Sequence, residues 1–237
     1  MEQNIAESHH LLHAWAWVEK NRKQVIIGVS AVAVVGLIIG YSSYARAAKE
    51  AAAGEALSQA LFNGAARNGG ADTGAQLLKV ATDNSGTQSG AQALLLAAGA
   101  LFTNGKYAEA QSSFDQFARD HSSSPLVAQA LYGSGAALAA QGKLADAAQA
   151  YKNVVDRYPS SPVANQARYS QAAVLATEGK LAEAVALYEE VVRASMGTSL
   201  GNEAGLRADE LRAKLPPPAA VPAVTTAPAS NSVPAPK

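Results

Sequence analysis

Three histidines, His9, His10 and His13, stand near the start of the chain and include an i, i+3 and an i, i+4 pair. Two imidazoles one helical turn apart can hold a metal ion, but no Cys, further His or convergent acid accompanies them. They read as a polar segment and not as a ligand set. His121 stands beside Ser122–Ser124. A Ser/His pair without an Asp partner or a nucleophile elbow is no hydrolase signal. Gly-Lys pairs at 105–106, 142–143 and 179–180 look like phosphate-binding ends. They lack the G-x-x-x-x-G-K-[ST] frame, and Tyr or Leu follows each, so they read as turns. The chain has no Cys. That excludes a disulfide, a lipid-modified N-terminal cysteine, a thiol nucleophile and a cysteine zinc site. It leaves the redox compartment open. The expectation is a protein that is not an enzyme, with no catalytic residues, no metal and no cofactor.

With no chemistry of that kind, the information lies in the elements. The chain has 237 residues, 49% hydrophobic, 16% charged and 6% aromatic, and 54 of them are Ala. Its charged fraction lies well below the roughly 25% of an average soluble chain. Nineteen Lys and Arg balance nineteen Asp and Glu, which argues against nucleic acid as a partner, since such binders carry a basic excess or stripe. So much Ala predicts helices packed closely on small side chains.

Residues 24–45, QVIIGVSAVAVVGLIIGYSSYA, carry no charge. As a helix they would span about 33 Å, enough for a hydrocarbon core of about 30 Å. Trp15 and Trp17 precede the run, Lys20, Arg22 and Lys23 flank it, and Tyr41 and Tyr44 close its far end. Aromatics at both ends and basic residues at one predict a transmembrane helix through the lipid bilayer, with residues 1–23 cytoplasmic and the bulk outside. A cleaved export signal competes, because Ala45-Arg46-Ala47 is an A-x-A pattern. Against it, both the segment before the run and the run itself exceed signal-peptide lengths. Either way the remainder is exported.

The remainder repeats. Gly105, Gly142 and Gly179 are 37 apart, as are Ala110, Ala147 and Ala184, then Phe114, Tyr151 and Tyr188, then Gln92, Gln129 and Gln166. Laying 125–161 over 162–198 matches 15 of 37 positions. A fixed period of this size means stacked supersecondary units. Each reads as two helices joined at the Gly-Lys turn, with Gly supplying the left-handed C-cap. Small residues at Gly135 and Ala147 let the helices approach, and Pro159 and Pro162 stop the second one. No pair can bury its apolar faces alone, so the units stack.

These units resemble the tetratricopeptide repeat. Gly135, Leu138, Ala147, Tyr151 and Pro159 match its pattern in 125–161. Ala110 and Phe114 match it in 88–124, and Ala184 and Tyr188 in 162–198; Ser122 and Met196 stand where Pro is expected. The fold class expected is all-α: a transmembrane helix at 24–45, a degenerate first repeat at 46–87, three 37-residue repeats at 88–199 and a capping helix at 200–215. A Pro/Ala-rich tail follows at 216–237, with seven Pro in 22 residues, and such a composition favours disorder. The resemblance implies a concave face lined by the first helix of each unit. It points Gln92, Gln129 and Gln166 into a peptide groove, with Leu95, Tyr132 and Tyr169 beside them. A neutral row of amides and rings suits an extended peptide; the competing reading is that the tyrosines only fill the packing between helices.

The whole order, from the WVEKNRKQ flank at 17–24 through the anchor to the repeats, resembles the ancillary subunit family of the bacterial SecYEG translocon. That resemblance implies an inner-membrane protein that binds other proteins, such as translocon or periplasmic chaperone partners. The repeats also resemble the exported coordinator of cell division and envelope constriction, which implies the alternative of a structural scaffold.

Overall fold

The computed structural model describes Trp15, residues 17–66 and residues 72–216. Among these the chain forms nine helices and no strand. They are α1 (Arg22–Ala66), α2 (Asp72–Asp83), α3 (Gln88–Thr103), α4 (Tyr107–Asp120), α5 (Val127–Ala140), α6 (Leu144–Arg157), α7 (Ala164–Thr177), α8 (Leu181–Ala194) and α9 (Ser199–Arg212). The chain divides into two compact units, the first ending at Lys143 and the second beginning at Leu144. The histidines at 9, 10 and 13, the Gly69-Gly70 turn expected between the two helices of the degenerate first repeat, and the tail from 217 onward lie outside the described residues.

In the first unit α1 is 45 residues long, about 67 Å at the usual helical rise. Its first part is long and apolar enough to cross a membrane, with a mean hydropathy of 2.3, and none of that stretch is buried. Beyond it the same helix turns a small-residue face inward. Leu57 and Ala60 pack with Leu77 of α2 and with Ala93 and Ala97 of α3, and Ala53 before them is fully buried. The sequence places a boundary between span and first repeat at 45/46. The structure has no break there: Ala, Lys and Glu at 47–53 are all strong helix formers, and neither Gly nor Pro interrupts them. Next, α3, α4 and α5 close a second cluster around Leu94, Leu101, Phe114 and Phe117.

Glu50 joins α1 to α3. Its two carboxylate oxygens accept the backbone N–H groups of Gln88 and Ser89, each at 2.7 Å. Thr87 Oγ1 accepts the N–H of Gly90 at 2.9 Å, so the first turn of α3 is satisfied. The Ser89 hydroxyl first, and then those two backbone groups, hold the Glu50 carboxyl below its ordinary range.

In the second unit α6 packs on α7, α7 on α8, and α8 on α9. Ala147, Val154, Ala167, Ala172, Ala184, Val191 and Ala204 are fully enclosed. The 200–215 segment is expected as an exposed cap. As α9 it is amphipathic, burying Ala204, Ala208 and Leu211 and exposing its charged residues.

The Gly-Lys turns are helix stops. Gly105, Gly142 and Gly179 have φ of 75°, 76° and 81°. The N–H of Lys106 reaches the carbonyl of Leu101 at 2.9 Å, and that of Gly105 reaches Phe102 at 3.0 Å. Lys143 and Gly142 repeat this with Leu138 and Ala139, as do Lys180 and Gly179 with Leu175 and Ala176. This pair of bonds satisfies the last carbonyls of each helix and needs a left-handed residue. Two more positive-φ glycines, Gly86 and Gly197, lie just before the N-caps Thr87 and Thr198. They are three repeat lengths apart and mark the entry to α3 and α9.

Close approach occurs at Gly133, where α5 meets α4, and Gly135 on the same helix is also buried. A Cβ on Gly133 would lie 2.6 Å from the Phe114 ring. Gly133→Ala is therefore expected to cost about 1–3 kcal/mol by overpacking. Gly99→Ala, inside α3 with nothing within 4 Å of the new carbon, should stabilise by about 0.5–1 kcal/mol. Thermal melts of the full chain in detergent, followed by circular dichroism, measure both. Glu50→Gln is expected to cost about 1 kcal/mol near neutral pH. Because folding lowers the Glu50 pKa, its contribution is complete above the unfolded carboxylate range and is lost as pH falls through the folded value. The two melting temperatures should converge in acid.

Candidate peptide-binding surfaces

The residues expected to line a groove fall in both units, each with its own setting. In the first unit Gln92 and Gln129 are exposed on α3 and α5, helices that touch each other. Leu95 is half-buried against the core and Tyr132 is half-buried on α5. Behind them a polar lace ties α4 to α5. The Ser134 hydroxyl donates to Asp115 Oδ1 at 2.6 Å. Gln141 Nε2 donates to Gln111 Oε1 at 2.9 Å. These groups are occupied within the fold and hold the α5 surface in place.

In the second unit Gln166 and Tyr169 stand on α7 and are half-buried. Tyr188 rises from α8 beneath them and is 3% exposed. The two rings meet edge to face, centroids 5.1 Å apart and planes at 68°. The Tyr169 hydroxyl donates to Glu203 Oε1 of α9 at 2.6 Å. Arg207 lies beside the same hydroxyl and donates to Glu210 at 3.3 Å. Rings and charges border a shallow depression of about 250 Å³, floored by Ala173 and Ala176 and closed by Leu211.

The row expected to be neutral is charged at this end. Glu203 lies one repeat after Gln166, and Leu206 one repeat after Tyr169. Extending the 37-residue step into the capping segment would have found both; treating that segment as a cap hid them. Leu206 is 73% exposed, so α9 presents an apolar side chain in the register held by Tyr169 on α7.

Burial pushes the Tyr188 hydroxyl up to about 12, and the neighbouring Tyr169 adds to it. Tyr169 is raised by burial and then by its bond to Glu203. Both are neutral at physiological pH, with the Tyr169 hydroxyl donated to Glu203 and ring surface left to border the depression. Among the described residues no three His, Asp or Glu side chains gather into a metal-ligating group. The arrangement can hold a polypeptide: rings for side chains, and a carboxylate and amides for backbone N–H groups.

Most of the repeat-signature residues are buried, and Tyr188 among them also borders the depression. Ala110, Ala147 and Ala184 are fully enclosed, and Phe114, Tyr151 and Tyr188 are 8%, 3% and 3% exposed. Pro159 lies exposed in the turn after α6.

The family model of the tetratricopeptide repeat matches residues 95–162 and 146–197. No curated protein sequence matches the chain. Among solved structures, the nearly identical TPR-like repeats of kinesin light chain type from Podosopora anserina are similar at 18% identity and a TM-score of 0.53. They cover 69% of this chain and 86% of that one. A form of the same protein carrying one substitution is similar at 19% identity and a TM-score of 0.51, covering 69% and 91%. At these identities the likeness concerns the fold. The described chain is an all-helical array of tetratricopeptide-like repeats preceded by one long apolar helix.

Alkaline titration checks the tyrosine setting. Tyr188 should ionise near pH 12, and Tyr188→Phe should remove that step from the ultraviolet titration curve. Because the folded value is raised, the neutral ring's stabilisation is complete below the unfolded tyrosine pKa of about 10 and is lost as pH rises through the folded value.

Proposed function

We propose that this chain is a membrane-anchored protein-interaction module. Residues 24–45 cross the bacterial inner membrane, residues 1–23 lie in the cytoplasm, and the repeats stand on the outer side, where they assist protein translocation or periplasmic chaperone work. The reading is supported by the exposure of the span: Ile27, Val32 and Leu37 are 69%, 73% and 74% exposed. Water disfavours so much apolar surface by about 25 cal/mol per Å², and the helix has the length a bilayer requires.

The client is an extended segment of another protein. The observation that carries this is the depression at Tyr169 and Tyr188, with its alanine floor and the exposed Leu206 on the adjoining α9. Aromatic side chains in such pockets are the usual hot spots of an interface. Gln92, Leu95, Gln129 and Tyr132 offer a second patch of the same chemistry in the first unit. Glu203 favours segments with a donor or a basic side chain near the bound aromatic or aliphatic residue, whereas Glu210 is paired with Arg207 and Lys214.

Two measurements test this. Protease added outside the cytoplasmic membrane should digest residues 46–237 while the chain stays in the membrane fraction; protection of the repeats would reverse the topology, and a soluble species would remove the anchor. For binding, Tyr169→Ala should weaken client capture by about 2 kcal/mol, and Gln166→Ala by about 1 kcal/mol or less. Pull-down with circular dichroism as the folding control reads both. A folded Tyr169→Ala chain that retains full capture would favour the scaffold alternative, in which envelope proteins assemble on other surfaces.

A further inference from the structure

We propose that the cleft between α1 at residues 46–50 and the Gly86–Thr87 turn binds the phosphate of an anionic phospholipid headgroup. The inference rests on reading residues 24–45 as the span. The uncharged run ends at Ala45, so Arg46 and Lys49 occupy the first turn beyond it, at the depth of the headgroups. Being three residues apart on one helix, they share a face. Both are exposed, and both line a depression of about 360 Å³ together with Glu50, Gly86 and Thr87.

The charges of this cleft are unbalanced. Among the described residues neither Arg46 nor Lys49 has an ion-pair partner, whereas Lys79, Lys106, Lys152 and Lys180 are paired. Arg119, Lys143 and Arg157 also have none, but they lie far along the chain from the span. Glu50 is the one acid lining the cleft, and both its oxygens are held by the N–H groups of Gln88 and Ser89. Its charge is turned toward the helix N-terminus and is compensated there. Two cations remain without an internal counter-charge. A phosphodiester at the lipid surface supplies that charge in the place where the chain holds them. Gly86, at φ 86° and with nothing within 4 Å of where a Cβ would stand, leaves the turn side of the cleft open. The α3–Glu50 clamp thereby fixes the first unit against the lipid surface and keeps it from swinging about the end of the span.

The absence of cysteine makes a site-specific test direct. The full chain with Ser85→Cys, on the exposed turn beside the cleft, is labelled with a fluorophore. It is then reconstituted in vesicles that carry a headgroup nitroxide quencher. Phosphatidylcholine vesicles are compared with vesicles of phosphatidylcholine and phosphatidylglycerol. Flotation reports whether the chain is membrane-integral. The expected result is a clear rise in quenching with phosphatidylglycerol. Arg46→Gln with Lys49→Gln, both exposed, should abolish the rise, and high salt should weaken it, while flotation is unchanged. Arg22→Gln with Lys23→Gln, at the other end of the span, should leave the rise intact. Quenching that ignores phosphatidylglycerol, or that survives the Arg46 and Lys49 substitutions, would overturn the headgroup site and leave the span standing. A chain that fails to float would instead overturn the span, and the headgroup site with it.

Discussion

Close contact between an aromatic ring and a position with little or no side chain is the constraint on which the array depends. Phe114 lies on Gly133, where even one added carbon would be 2.6 Å from the ring. Helices this near leave no room for bulky residues, which accounts for the alanines at 0% exposure through both cores. Cores of small residues bury little area per helix, so no pair is stable alone and each takes its stability from its neighbours. The Gly-Lys stops then fix where each helix ends, so that the next ring arrives at the right height. A surface built on helices held so tightly is preformed, which lowers the cost of ordering on binding.

One unbroken helix joins the first unit to the apolar run. A flexible linker would let the repeats drift, but α1 carries its helical hydrogen bonds through the end of the apolar run. Beyond that run Glu50 reaches the start of α3, and the buried apolar face follows from Ala53 onward. Glu50 secures the junction by completing the N-terminus of α3. The apolar run and the first unit therefore share one continuous element.

Much of this was legible in the sequence because the repeat writes each rule three times. Gly105, Gly142 and Gly179 could be read as left-handed stops, since a fixed step of 37 placed each after a helical stripe. The buried positions Ala110, Ala147 and Ala184 followed from the same step. What periodicity does not encode is the close contact of Phe114 with Gly133, because the matching positions one repeat away hold Leu96 and Ser170. Nor does it show a bond between segments far apart in sequence, such as Glu50 with Gln88 and Ser89. The charged border of the Tyr169 depression was hidden for a different reason. Glu203 and Arg207 belong to a segment whose polar composition resembles a solvent-facing cap, and its amphipathic burial becomes visible only when it packs on α8.

Site-specific photocrosslinking in native membranes tests the central claim most directly. A photoreactive side chain at Ala173, on the floor of the depression, is compared with one at Ala182, exposed on α8. If the repeats hold extended segments of other proteins at the Tyr169–Tyr188 surface, Ala173 yields adducts with defined peptide segments of exported or membrane proteins, and Ala182 does not. Adducts of equal yield at both positions, or none at Ala173, would contradict the account.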